Sequence, residues 1–418
     1  MMRSMFSAIS GLKNHQTFMD VVGNNIANVN TTGFKQSRVT FQDILSQTVR
    51  SASGPQGGRG GVNPEQVGLG VTINGIDTIQ TQGTLQSTGK LTDMAIQGDG
   101  YFVMSDGKQN FFSRDGAFDL GTDGTLLNPA SGLHVMGWQA NAVTGAVDTT
   151  VPASAITIPL GADMTGKAST SLTASGNLDS GTSTTAPNNA VSLQSTIYDS
   201  LGNPHSITIA FTHTAADTWT VGPLTSPDGT VTMTGGTPLK FNTAGKYDTT
   251  AGANTPGTMS LALTTPNGAA PISFGFDMTS ITQLASTPSS LSSNTDGASA
   301  GSLTTFTVGP AGDITGVYSN GYKQPLGQIA LASFANPGGL VKAGGNLFQT
   351  SVNAGTANIG IPDSAGRGQI ATGFLEGSNV DLAQQFTNMI MAERGFQANS
   401  RVITTSDEIL QDLVNIKH

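Results

Sequence analysis

The first and last segments of the chain share a pattern that the middle lacks. Met2, Met5, Ile9, Leu12, Gln16, Met19 and Ile26 fall on an alternating three-four spacing, with Gly23 at the missing step. Large apolar residues at that spacing predict a helix with a heptad stripe. The run from Gly23-Asn24-Asn25 to Asn30-Thr31-Thr32-Gly33 predicts fraying, because Asn and Gly favour turns and left-handed backbone. At the other end Leu382, Phe386, Met389, Phe396, Ile403, Leu410 and Val414 share one register, interrupted at heptad positions by Glu393, Ser400 and Asp407. Ser378-Asn379 predicts the helix cap, with Asp381 favourable in the first turn. No proline follows Pro362, so the helix can run to roughly 50 Å. Each stripe is too narrow to bury itself alone. The helices either dock on the chain's own β-structure or form a coiled-coil pair packed against other subunits, and the length and matching patterns favour the second.

Between these ends the chain alternates in the manner of strands. Asp99-Gly100, Asp106-Gly107, Asp115-Gly116 and Asp123-Gly124 separate short apolar runs such as Tyr101-Phe102-Val103-Met104 and Phe111-Phe112. Turns at that spacing predict an antiparallel meander. Val191 to Tyr198 alternates, passes through Asp199-Ser200-Leu201-Gly202-Asn203-Pro204 and resumes as Ile207, Ile209 and Phe211, which predicts a hairpin. Ser319-Asn320-Gly321 marks a third turn. The fold class expected is mainly β with α-helical termini: an elongated multidomain chain with two antiparallel β domains plus an N-/C-terminal helical coiled-coil pair. Residues 1–28 with 378–418 form the helical domain, and 29–70 with 365–377 an extended linker or arm. Residues 71–145 with 301–364 form an inner β domain, into which 146–300 inserts as an outer one.

Composition narrows the function. Lys plus Arg number 18 and Asp plus Glu 27, a net charge of −9, and charged residues are 11% against a usual share of about 25%. That leaves no electrostatic footprint for nucleic acid. Residues 146–300 hold three basic residues and nine Asp, so two-thirds of the net charge sits in the predicted outer domain, as suits a solvent-facing one. Cys is absent, which excludes disulfides, thiolate metal sites and a cysteine nucleophile. No apolar stretch approaches the roughly 20 residues of a membrane span. The N-terminus lacks an apolar core followed by a small-residue cleavage site, so export, if it occurs, is expected by a route that keeps this end.

The chemistry-bearing residues do not assemble into a recognisable site. The histidines are His15, His134, His205, His213 and His418, and only His205 and His213, eight apart on the predicted hairpin, invite a metal reading; solvated strand residues explain them as well. Glu occurs at Glu65, Glu376, Glu393 and Glu408 alone, and most Asp sit beside turn residues. The Asp-Gly series lacks the spacing of a calcium loop, and the glycine-rich 57–61 stretch lacks the Lys-Ser/Thr of a phosphate loop. The expectation is no catalytic residue, cofactor or metal: a non-enzyme.

Several long strings point to a family. ANVNTTGFK (27–35) resembles the signature after the N-terminal helix of bacterial flagellar axial proteins, the rod and hook family. LEGSNVDL (375–382) and FQANSRVITTSDEIL (396–410) resemble that family's C-terminal signature. DMAIQGDGYFV (93–103), YSNG (318–321) and GQIALASFANPGGL (327–340) are similar to the two halves of its first β domain. Onto this sequence the motif carries Asn28, Asn30, Thr31, Gly33, Phe34, Glu376, Asn379, Val380 and Asp381. The chain length, the large insert and LGNPHSITIAF (201–211) are similar to hook-type members, with a distal rod subunit as the alternative.

The resemblance implies a structural subunit of a tubular helical homopolymer, outside the cell in the flagellum, that acts as a universal joint carrying torque from rod to filament. It further implies contacts with rod, hook-cap and hook–filament junction proteins and passage through the flagellar type III export apparatus, with no nucleic acid and no membrane insertion. In such a polymer Met5, Ile9, Leu12, Met19 and Ile26 would share a core with Leu382, Phe386, Met389, Phe396, Ile403, Leu410 and Val414. Ordering the ends costs roughly 1–2 kcal/mol per residue, offset by about 1.5–3 kcal/mol per large side chain fully buried.

Overall fold

Two long helices bracket a β-rich chain. In the computed structural model the described residues are 2–55, 60–141, 145–164, 166–236, 238–250, 257–263, 268–285 and 289–415. Helix α1 spans Met2–Ala27 and helix α2 spans Leu382–Asn415. The chain divides into two compact units: Met1–Ile158, Thr307–Thr315 and Pro325–His418 form the first, and Pro159–Phe306 with Gly316–Gln324 the second.

As expected, α1 ends inside the Asn-rich run, at Ala27, and turns follow over 28–33; it passes through Gly23-Asn24-Asn25 because the Asn25 side chain, buried at 1% exposure, finds partners away from its own backbone. It donates to the Ser37 carbonyl at 2.8 Å and accepts from the Ser37 N–H at 3.0 Å. The stretch that follows is a long antiparallel ribbon. Ser37–Asp43 pairs with Val71–Thr78, and Ser46–Arg50 with Glu65–Gly68. Alpha1 packs on it, with Asn14 Nδ2 donating to the Val71 carbonyl at 2.7 Å and Phe18 meeting the Phe41 ring edge-on at 5.8 Å.

In the same unit His134–Gln139, Tyr101–Ser105, Asn110–Ser113, Leu347–Gln349 and Val341–Gly344 are successive antiparallel neighbours. Asp106-Gly107 makes the expected turn: the carboxylate accepts the N–H groups of Lys108 and Gln109, both at 2.9 Å, and Gly107 has φ 86°. Asp115 likewise accepts a nearby N–H, from Ala117 at 3.2 Å, but it is buried and also accepts from Thr32 Oγ1 at 3.1 Å and Asn128 Nδ2 at 3.2 Å. Gly116 passes so close to the Met94 carbonyl that a Cβ would lie 1.6 Å from it. The core here is aromatic, with Phe112 edge-on to Phe334 at 4.8 Å and Tyr101 edge-on to both Phe334 and Phe348.

The second unit packs a four-stranded sheet, ordered Ala190–Tyr198, Pro204–Ala215, Thr218–Thr225 and Leu239–Lys240, against a five-stranded one. The latter runs Gly229–Thr234, Gly257–Leu263, Ile272–Leu284, Ser171–Asp179 and Ser290–Thr295. Ser171–Asp179 and Ile272–Leu284 are parallel neighbours, set among antiparallel pairs. Strict alternation along Pro204–Ala215 places His205, Ile207, Ile209, Phe211 and His213 inward, with Trp219 completing the shared core. The predicted hairpin forms with its turn at 199–203.

Candidate functional site

The two end motifs meet in space, although 341 positions separate Lys35 from Glu376. Each is delivered by a different local device. After α1, Thr31 Oγ1 donates to Asn28 Oδ1 at 3.1 Å, and Gly33 turns the chain with φ 67° in a place where a Cβ would lie 2.6 Å from the Asp115 nitrogen. That turn directs Phe34 and Lys35 along the ribbon's start. On the returning side, Phe374–Glu376 pairs with Leu85–Ser87, which fixes Glu376 opposite Leu85. The Gly33 N–H donates to the Glu376 carbonyl at 2.8 Å, joining the two motifs by backbone alone.

Glu376 is the centre. Its side chain is wholly buried, as is that of Lys35, and the Lys35 ammonium donates to Oε1 at 2.6 Å. The Gly83 N–H donates to the same oxygen at 2.8 Å, and Arg114 Nη1 lies 3.5 Å from Oε2. Lys35 Nζ also donates to the Thr81 carbonyl at 2.8 Å. Burial pushes the Lys35 ammonium below the usual lysine range, and the charge and hydrogen bond of Glu376 oppose that shift. Arg114 in turn lies 5.3 Å above the Tyr101 ring, and burial raises the Tyr101 hydroxyl to about 12. A buried ion cluster of this kind contributes little net stability against an apolar alternative, but removing one member strands the others. It specifies which segments must meet.

A second set of bonds ties the start of α2 to the same place. Asn379 accepts from the Gln36 N–H at 2.8 Å and donates to the carbonyls of Ile79 and Thr81 at 2.9 and 3.1 Å. It is therefore a tie rather than the helix cap predicted for Ser378-Asn379. Asp381 caps instead, accepting the N–H groups of Ala383 and Gln384 at 2.9 and 3.3 Å. Val380 is half-buried beside it and Asn30 is exposed on the opposite motif. Sequence reasoning placed Glu376, Asn379 and Gly33 in the family motif without their contacts. It missed Arg114, Thr81, Gly83, Asn25 and Gln385, which lie outside the signature strings. The Lys within ANVNTTGFK was the available signal.

From this clasp α1 and α2 run antiparallel. Asn25 Nδ2 donates to Gln385 Oε1 at 3.2 Å; further along, a Cβ on Gly395 would lie 2.5 Å from the His15 ring, and one on Gly11 2.7 Å from Asn399. The inward row of α2 is Gln385, Ala392, Asn399 and Ser406, spaced by seven. That row stands one residue ahead of Phe386, Glu393, Ser400 and Asp407; of the polar interruptions in the predicted stripe, Glu393 and Asp407 are exposed and Ser400 is half-buried. Small and polar residues line much of the seam, Ala8 and Val22 of α1 are buried, and the large apolar residues of the predicted stripes divide between exposed and half-buried positions. Ile9, Leu382, Phe386, Phe396 and Val414 are exposed, whereas Met5, Leu12, Met19, Ile26, Met389, Ile403 and Leu410 are half-buried. Phe6, Ile390, Met391, Ile409 and Leu413 add to the exposed apolar surface. No helix among the described residues is long and apolar enough to cross a membrane, and none of their His, Asp and Glu groups has the arrangement of a metal site.

The chain thus has a paired-helix end clasped to a β unit, with a second β unit inserted in the sequence. Four family descriptions match in order: "Flagella basal body rod protein" at 5–35, "Flagellar hook protein FlgE/F/G D1 domain" at 95–179, "Flagellar basal body protein FlaE D2 domain" at 173–298 and "Flagellar basal body rod FlgEFG protein C-terminal" at 371–416. The flagellar hook proteins FlgE of Borreliella burgdorferi and Treponema pallidum are each 40% identical to this chain, with the whole of both sequences covered. The flagellar basal-body rod protein FlgG of Bacillus subtilis is 32% identical, again over the whole of both. The solved hook protein FlgE2 of Helicobacter pylori shares the fold at TM-score 0.51 and 16% identity, covering 70% of this chain and all of that one. The chain belongs to the flagellar hook and basal-body rod protein family, and its relatives at 40% identity are hook proteins.

Proposed function

We propose that this chain is the structural subunit of the flagellar hook and polymerises with copies of itself into a tube that joins the rod to the filament and bends while transmitting torque. The observation that carries this reading is the exposure of Phe6, Ile9, Phe386, Ile390 and Phe396 on the helix pair. Apolar surface of that extent is the mark of an interface. Burial among neighbouring copies stabilises it by about 1.5–3 kcal/mol for each large side chain fully covered. The predicted core residues of both helices would take part. The buried clasp then sets the direction in which the helix pair leaves its β unit, so that every copy presents its helices alike.

In this reading the protein has no catalytic role and works outside the cell. It is exported by the flagellar type III apparatus, grows beneath a hook cap, and meets rod proteins at one end and hook–filament junction proteins at the other. The 32% identity to a rod protein over full length favours a distal rod subunit as the second reading. Electron microscopy of the purified protein at high concentration, with and without salting-out, separates the outcomes. Curved tubes support the hook, straight ones the rod. A persistent monomer with protease-resistant terminal helices overturns both.

A further inference from the structure

His205 lies at the end of the hairpin in the second unit, buried to 8% exposure, with each ring nitrogen aimed at a different carboxylate. Nε2 is 3.3 Å from Asp199 Oδ2 and Nδ1 is 3.1 Å from Asp228 Oδ2. The two acids belong to different turns. Asp199 opens the 199–203 turn between Ala190–Tyr198 and Pro204–Ala215, and Asp228 stands in the turn between Thr218–Thr225 and Gly229–Thr234. Among the described residues these are the two charged groups in ion-pair contact with the ring. A neutral imidazole carries one N–H and one lone pair, so it satisfies one carboxylate and turns a lone pair toward the other. The imidazolium alone donates to both.

Asp199 cannot readily turn away. Its side chain is fully buried and also accepts the N–H groups of Leu201 and Asn203 at 2.9 and 2.8 Å and the Asn203 amide at 3.0 Å. Asp228, partly exposed, has its N–H directed to Ser226 Oγ, which itself donates to the Ser206 carbonyl at 2.8 Å. Both turns are thus held in place around the ring by bonds independent of it.

We propose that His205 is a proton-dependent tie that pins these two turns together while it carries both ring protons and releases one of them when it loses a proton. A tie that needs both ring protons is lost as pH rises through the histidine range and one of them leaves. The Asp199 carboxyl, held at about 2, does not titrate in that window.

The full-length protein, uniformly 15N-labelled, tests this directly. The resonances that move on Asp228→Asn should report two protonated ring nitrogens in acid, and the amide signals of the 199–203 and 226–229 turns should shift together as one of those protons leaves. Turn amides that stay in place while the ring loses a proton overturn the proposal without any need for a His205 variant. Melting followed by Trp219 fluorescence in a Trp138→Phe background adds the second readout. Between pH 5.5 and 8 the midpoint should fall by about 2–4 °C more than in His205→Gln, whose amide cannot donate to both acids. Equal pH dependence in the two proteins also overturns it.

Discussion

Replacing Glu376 with Ala should destabilise the first unit far more than the loss of one side chain suggests. The truncation removes the acceptor of the 2.6 Å bond from Lys35, the 2.8 Å bond from Gly83 and the contact with Arg114, all in a place that water does not reach. Lys35 keeps only the Thr81 carbonyl, and the influence that opposed its desolvation is gone. Breaking a buried pair from one side costs about 3–5 kcal/mol. An unsatisfied buried N–H at Gly83 adds about 1–3 kcal/mol. The expected loss is therefore about 4 kcal/mol or more. The chain has two tryptophans, Trp138 in the first unit and Trp219 in the second, so a Trp219→Phe background leaves Trp138 to report on the first unit alone. Urea unfolding read at Trp138 gives the loss. A double-mutant cycle with Lys35→Met isolates the coupling, since the paired change removes both charges together. A loss below about 1 kcal/mol, or a double variant no more stable than Glu376→Ala alone, would refute the account of Glu376 as the centre.

Gly116→Ala should cost more than about 2 kcal/mol in the same Trp138 assay, because the added Cβ meets the Met94 carbonyl in a packed core rather than a movable side-chain tip. Phe386→Ser, at a half-exposed position outside the helix seam, should leave the monomer's urea midpoint unchanged while abolishing or sharply reducing tube formation by electron microscopy. The second unit should lose on the order of 2 kcal/mol as pH falls from about 4 to 2. Hydrogen bonds to Asp199 outweigh the effect of its burial and hold its carboxyl at about 2, so the stability it contributes is present above the unfolded value and vanishes as pH drops through the folded one. Asp199→Asn should flatten that acid limb in a Trp219 melt.

Both helices, the 190–215 hairpin and the Asp106-Gly107 turn were legible because each is written in neighbouring residues. The helix seam was not. A search for large apolar residues at heptad spacing passes over Gly11, Gly395, Asn399 and Ser406, which carry no hydrophobic signal at all. Asp115-Gly116 has the letters of a turn, and only its distant neighbours Thr32, Asn128 and Met94 make it a core position. The parallel pairing of Ser171–Asp179 with Ile272–Leu284 joins strands about a hundred residues apart, with no turn to announce it. Of the clasp, the motif strings held Lys35, Glu376 and Asn379; Arg114 became their partner through the fold.

That clasp has a bearing on the order in which the molecule can be completed. A chain that emerges N-terminus first delivers Lys35 and Arg114 long before Glu376. Until the last tenth or so arrives, two cations stand where an anion should be, and the site resists closing dry around them. An interrupted chain carries that fault permanently. The final segment therefore acts as a certificate of full length, and a copy without it cannot aim its helices for assembly.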